Sequence, residues 1–142
     1  MGNFRFLGDV ALADCAVDLS ARSLTDAFET AARALAEVTV DPATVPESIS
    51  RHIILDAPTL DGLFFDWLSE LIYFKDRDAE IYFRTVVRVS GDGPCRLVGR
   101  LHGGRIVPGR TERRADVKGV SLNQFALGSC DGGWHARFVL DL

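Results

Sequence analysis

Two apolar stripes at helical spacing dominate the chain. Leu24, Phe28, Ala31, Ala32 and Leu35 recur every three or four residues and predict a helix over 24–38. Ser23 precedes that stripe as an N-cap, with Asp26 three residues on, an aspartate variant of the capping box. A broader stripe of Leu60, Leu63, Phe64, Trp67, Leu68, Leu71 and Ile72 predicts a second helix over 60–74, with Thr59 placed to cap it. Its simplest reading is a buried face, not a cofactor box. The remaining pattern has period two. Residues 4–7 alternate. In 14–19, Cys15, Val17 and Leu19 fall on one side and Asp14, Ala16 and Asp18 on the other. Residues 49–55, 80–89, 95–102, 116–127 and 134–142 complete the strands. The turn Gly91-Asp92-Gly93-Pro94 joins two of them as a hairpin, and Asp131-Gly132-Gly133 joins the last two. Asp41-Pro42 and Val45-Pro46 punctuate a loop, and 103–114 form a Gly- and Arg-rich connection. The order ββαβαββββ predicts one α+β domain over 1–142, with two helices packed on one face of a largely antiparallel sheet.

Composition adds limits. The chain has 142 residues, 47% of them hydrophobic and 25% charged, as one ordinary globular domain does. The formal net charge of -4 argues against tight binding to naked nucleic acid, which draws on a basic surplus. It suits a protein partner or a cation. Arg96, Arg100, Arg105, Arg110, Arg113, Arg114 and Lys118 crowd one stretch against that trend. They read either as a solvated loop and sheet edge or as a docking patch for an acidic partner or an RNA backbone. Cys15, Cys95 and Cys130 are odd in number and far apart, which points to reduced thiols and a cytoplasmic setting. No apolar run approaches the ~20 residues of a membrane span, and no signal peptide is visible.

The motifs of familiar catalysts are missing: no GxxxxGK[ST], no complete GxGxxG and no GxSxG. His52, His102 and His135 fall on separate predicted strands, none near an obvious nucleophile in sequence. One feature does carry chemistry. Asp141-Leu142 ends a strong strand, so the Asp141 side chain and a terminal carboxylate on Leu142 lie side by side. Two fixed anions call for a cation, a basic side chain or a proton, and carboxylate oxygens suit hard cations such as Ca²⁺ and Mg²⁺. The competing reading is a frayed, solvated end.

Several segments, in order, resemble the archease family. Phe4-Arg5-Phe6-Leu7 and Ala13-Asp14 resemble its opening strand and His-Thr-Ala-Asp motif. Residues 23–32 and 61–73 look like its two helices, the second carrying Ser69-Glu70-Leu71-Ile72-Tyr73. Asp116-Val117-Lys118-Gly119-Val120-Ser121 resembles Glu-Val-Lys-Ala-Val-Thr, and Gly132-Gly133-Trp134 leads into a strand ending Asp-Leu, like the family's last. The resemblance implies a non-enzymatic activator of an RtcB-type RNA ligase, which seals tRNA halves and other RNA ends with GTP. It also implies a divalent cation, Ca²⁺ in type, held by Asp14, Asp141 and Leu142. Lys118, with Asp116 beside it, would contact a phosphate or the partner, or else neutralise the carboxylates. The chain departs from the family pattern at three histidines, replaced by Ala11, Thr111 and Asn123, and Asp116 is one methylene shorter than the usual Glu. Two other readings stay open: a metal- or ligand-binding module with a different partner, and a small metal-dependent hydrolase using Asp14 or Asp141.

Overall fold

The structure, a computed structural model, describes residues 2–7 and 14–142, leaving aside the side chains of Leu122 and Asn123. Its elements follow the expected order: β1 (Asn3–Leu7), β2 (Asp14–Ala21), α1 (Leu24–Thr39), β3 (Ile49–Ala57), α2 (Leu60–Asp78), β4 (Glu80–Ser90), β5 (Cys95–Arg105), β6 (Gly119–Cys130) and β7 (Gly133–Asp141). Ser23 sits in extended backbone, and its Oγ accepts from Asp26 N at 3.0 Å. The Asp26 carboxylate in turn accepts from the backbone N–H of Arg22 and of Gly2, tying the start of the chain to the helix. Thr59 caps α2 the same way, accepting from Gly62 N at 3.1 Å.

Helix α2 outruns its predicted end by one turn. The apolar stripe thins after Ile72, but Phe74 and Lys75 are still buried, and Ala79 closes the helix in the left-handed region (φ 55°), donating to Phe74 O and Lys75 O. Strand β5 runs on to Arg105 through Gly103 and Gly104. A Cβ on Gly103 would run into the Ile81 carbonyl, and one on Gly104 into the Pro46 carbonyl. These glycines serve close backbone approach, not a loop. Strand β6 begins at Gly119, three residues later than expected, and its register against β7 shifts between Ser121 and Ala126. Asp131 and Gly132 both have positive φ (40° and 80°), the backbone a two-residue hairpin turn needs.

All pairings are antiparallel, as expected, but the strands divide into two sheets instead of one: β1-β2-β7-β6 and β3-β5-β4. The outer edge of β4 shows why. Helix α1 lies along it, and Glu29 Oε2 and Thr25 Oγ1 accept the Val87 and Val89 N–H groups at 3.0 and 3.3 Å. Helix side chains occupy donors that a further strand would need. Burial there raises the Glu29 carboxyl above its usual range, against the opposing pull of the Val87 N–H.

Both sheets share one core with the two helices. Phe64 of α2 packs against Phe28 of α1 and Phe138 of β7, with ring centroids 5.0 and 5.6 Å apart. Trp67 is fully buried and donates from Nε1 to Phe28 O at 2.8 Å. Ile53, Val87, Leu97 and Leu101 bring the three-stranded sheet into the same cluster. Each sheet therefore has an inner face on this core and an outer face turned away from it. Among the described residues, no helix is long and apolar enough to cross a membrane.

Candidate metal centre

The pairing of β2 with β7 starts at Asp14, which lies directly opposite Asp141. On its other side Asp141 faces Gly119 of β6. The three residues form one row across the end of the four-stranded sheet. Residues directly opposite in an antiparallel pair share a face, with Cβ atoms roughly 4.5–5.5 Å apart. Two distant aspartates, at opposite ends of the sequence, are thus brought side by side. A Cβ on Gly119 would lie 3.8 Å from Asp141 Oδ2, an ordinary contact distance, so the Asp141 carboxylate lies near the third strand. Asp14, Asp141 and Leu142 are all half-buried, and Leu142 packs against the core. That packing opposes the reading of a frayed, solvated end.

The neighbouring segment is anchored. Lys118 N donates to Asp141 O at 2.7 Å, while the Lys118 side chain is exposed. Two residues earlier, Asp116 accepts from Lys75 Nζ at 2.7 Å, and Lys75 Nζ also reaches Asp76 at 2.7 Å. The Lys75 side chain is only 5% exposed, so this cation is committed to its two carboxylates. The Lys75 hydrogen bond and charge, with Arg113 and Lys118 nearby, hold the Asp116 carboxyl below its usual range. Lys75 is the residue that sequence reasoning missed. Its signal was present: position 75 continues the stripe of Leu68, Leu71 and Ile72 at helical spacing.

A second carboxylate on the same outer face is fully answered. Asp18, four residues along β2 from Asp14, bonds His135 Nε2 at 2.6 Å and accepts from Arg5 Nε at 3.3 Å, and Arg137 Nε stands 3.7 Å away. Burial works against its ionisation, yet His135 and the arginines hold its carboxyl below the usual range. Among the described residues, no lysine, arginine or histidine side chain pairs with Asp14 or Asp141 in this way. The row's end therefore brings two carboxylates together, oxygen donors of the kind a hard cation takes. Among the described residues, no group of three or more His, Cys, Asp or Glu side chains gathers that could hold a metal ion.

The other singled-out positions scatter. Ala11 lies outside the described residues, as does the side chain of Asn123. Thr111 sits in the loop after β5, where its hydroxyl accepts from Val107 N at 2.8 Å. His52 contacts Arg100, and His135 contacts Asp18. The three cysteines are free thiols, and burial pushes the Cys15 thiol up, away from reactivity. The basic stretch also breaks up: Arg105 reaches Glu80, Arg114 pairs with Glu37, and Arg96 and Arg100 stand on β5.

Fold and site together define a small two-helix α+β domain whose four-stranded sheet ends in an opposed carboxylate pair. The chain belongs to the archease protein family, whose model matches residues 4–142. It is 30% identical over 122 residues to the archease of Methanosarcina mazei, covering 84% of each chain. It is 32% identical over 120 residues to that of Methanothermobacter thermautotrophicus, covering 84% of this chain and 85% of the relative. Among solved structures, the solution structure of protein 1598 from Methanobacterium thermoautotrophicum superposes with a TM-score of 0.79 at 32% identity over 98% of both chains. A Thermotoga maritima crystal structure, described as an archease and possible chaperone, matches with a TM-score of 0.66 at 13% identity over 96% of both chains, a likeness of fold alone.

Proposed function

We propose that this archease-family chain is an accessory factor, not an enzyme, for an RtcB-type RNA ligase. It promotes guanylylation and turnover of the ligase in tRNA splicing and RNA repair. In this reading Asp14, Asp141 and a main-chain oxygen of Leu142 hold a divalent cation, Ca²⁺ in type. The observation that carries it is the register of β2 on β7, which sets Asp14 against Asp141 with no described cationic side chain between them. When bound, the cation would supply positive charge at the half-buried end of the sheet, able to meet a phosphate or carboxylate of the partner. Lys118, exposed beside it, adds a second positive group for the same purpose. Lys75 and Asp116 position that segment.

The test is a guanylylation assay of the ligase from the same organism with GTP, with and without this protein, across a range of Ca²⁺ and Mn²⁺. Faster formation of the ligase–GMP adduct, lost in Asp141→Asn, is expected. No change at any ion concentration would overturn the ligase reading. Cation binding without ligase stimulation would favour a metal-binding module with another partner. That alternative draws on Thr111, whose hydroxyl is engaged by its own loop where the family resemblance places a histidine.

A further inference from the structure

Among the described residues, none covers the outer face of the three-stranded sheet around Ile54 and Val86. Its central strand β5 sets His52, Arg100 and Val86 in one row and Ile54, Val98 and Arg88 in the next. Ile54 is 65% exposed and Val86 58%, the two most exposed of the chain's large hydrophobic side chains among the described residues. With Val98 they floor an open depression of about 510 Å³. Such a contiguous aliphatic patch on a sheet face marks an interaction surface more often than chance exposure does.

Its rim is cationic. Arg84, Arg88, Arg96 and Arg100 stand on this face, answered by two carboxylates, Asp56 on Arg96 and Glu47 on Arg84. Arg100 donates to His52 Nε2 at 2.8 Å, a contact that neutralises nothing. Among the described residues Arg88 has no partner. This concentration of positive charge sits on a chain whose formal net charge is -4. A second copy would bring arginines against arginines. A single-stranded nucleic acid would look for aromatic rings to stack on, and this floor is aliphatic.

We propose that this face docks a segment of another protein that carries carboxylates around aliphatic side chains. Arginine forks take the carboxylates, and the Ile54–Val86–Val98 floor takes the aliphatic groups. The site is separate from the carboxylate row of the other sheet and does not depend on the ligase reading. The test is an NMR titration of the ¹⁵N-labelled full chain with a short synthetic peptide alternating glutamate and leucine. Shifts confined to β3, β4 and β5 are expected, weakening as ionic strength rises to about 0.5 M. Arg88→Glu and Val86→Asp, both at exposed positions, should each weaken binding at least about tenfold, a loss of about 1.4 kcal/mol, with unchanged thermal melts. The proposal is overturned by no binding of the peptide, by shifts elsewhere, or by equal binding of a lysine–leucine peptide. A uridine oligonucleotide that perturbs these strands more strongly than the peptide, or self-association through this face, would also overturn it.

Discussion

The two outer faces of this domain are built from the same antiparallel geometry and do opposite things. On the four-stranded sheet, Asp18 is answered by His135, Arg5 and Arg137, while the row at the sheet's end sets Asp14 against Asp141. On the three-stranded sheet, arginines surround exposed Ile54 and Val86. One face concentrates negative charge at a point, which suits an ion. The other spreads positive charge around an apolar floor, which suits a broad partner surface. The difference lies in what each strand carries at the phase not used by the core.

The largest perturbation removes both faces together. Trp67 lies at the heart of the shared core, so Trp67→Ala should cost about 3–5 kcal/mol in urea unfolding. An unaltered transition would show that α2 does not join the two sheets. Asp141→Asn separates them. In the wild-type chain a cation at about one hundred times its Kd should add about 2.7 kcal/mol of stability, and the variant should lose that gain. Without cation the variant should be more stable than wild type by about 0.2–1 kcal/mol, because two like charges no longer face each other. A variant less stable under both conditions would contradict the carboxylate row as drawn. Lys75→Met keeps the buried stem and removes the ammonium, leaving aspartates that reach solvent; a cost of about 1 kcal/mol is expected in the same unfolding assay.

The smallest effect is in acid. Asp116 has a folded pKa below its unfolded value, so its contribution is present above about pH 4 and is lost as pH falls through the folded value. Asp116 is mostly exposed, so the contribution is small. Melting temperatures measured from about pH 6 down to about pH 2.5 should fall less steeply in Lys75→Met than in wild type. Equal slopes would show that Lys75 does not hold Asp116 in its charged form.

Much of this was legible before the fold was known. Both helices and their caps follow from the stripes at 24–35 and 60–72 and from Ser23 and Thr59, and the element order follows from the alternation. The family resemblance named Asp14, Asp141 and Leu142; the pairing of β2 with β7 shows the aspartates to be neighbours. The division into two sheets was not legible, because it depends on Glu29 and Thr25 of α1 meeting the edge of β4, a contact between segments some sixty residues apart. Lys75 escapes a reading by polarity because lysine counts as polar, although its position lies on the buried stripe. The cationic face is half visible in sequence: Arg96 and Arg100 belong to a run of basic residues, but Arg84 and Arg88 join them only through the pairing of the adjacent strand. Alternation identifies a strand and its two faces; pairing decides which residues share one.

The most direct measurement is a calorimetric titration of CaCl₂ into the chelator-treated chain. Single-site binding is expected in wild type and in Arg88→Glu, and none in Asp14→Asn or Asp141→Asn. Identical isotherms for wild type and both asparagine variants would contradict it.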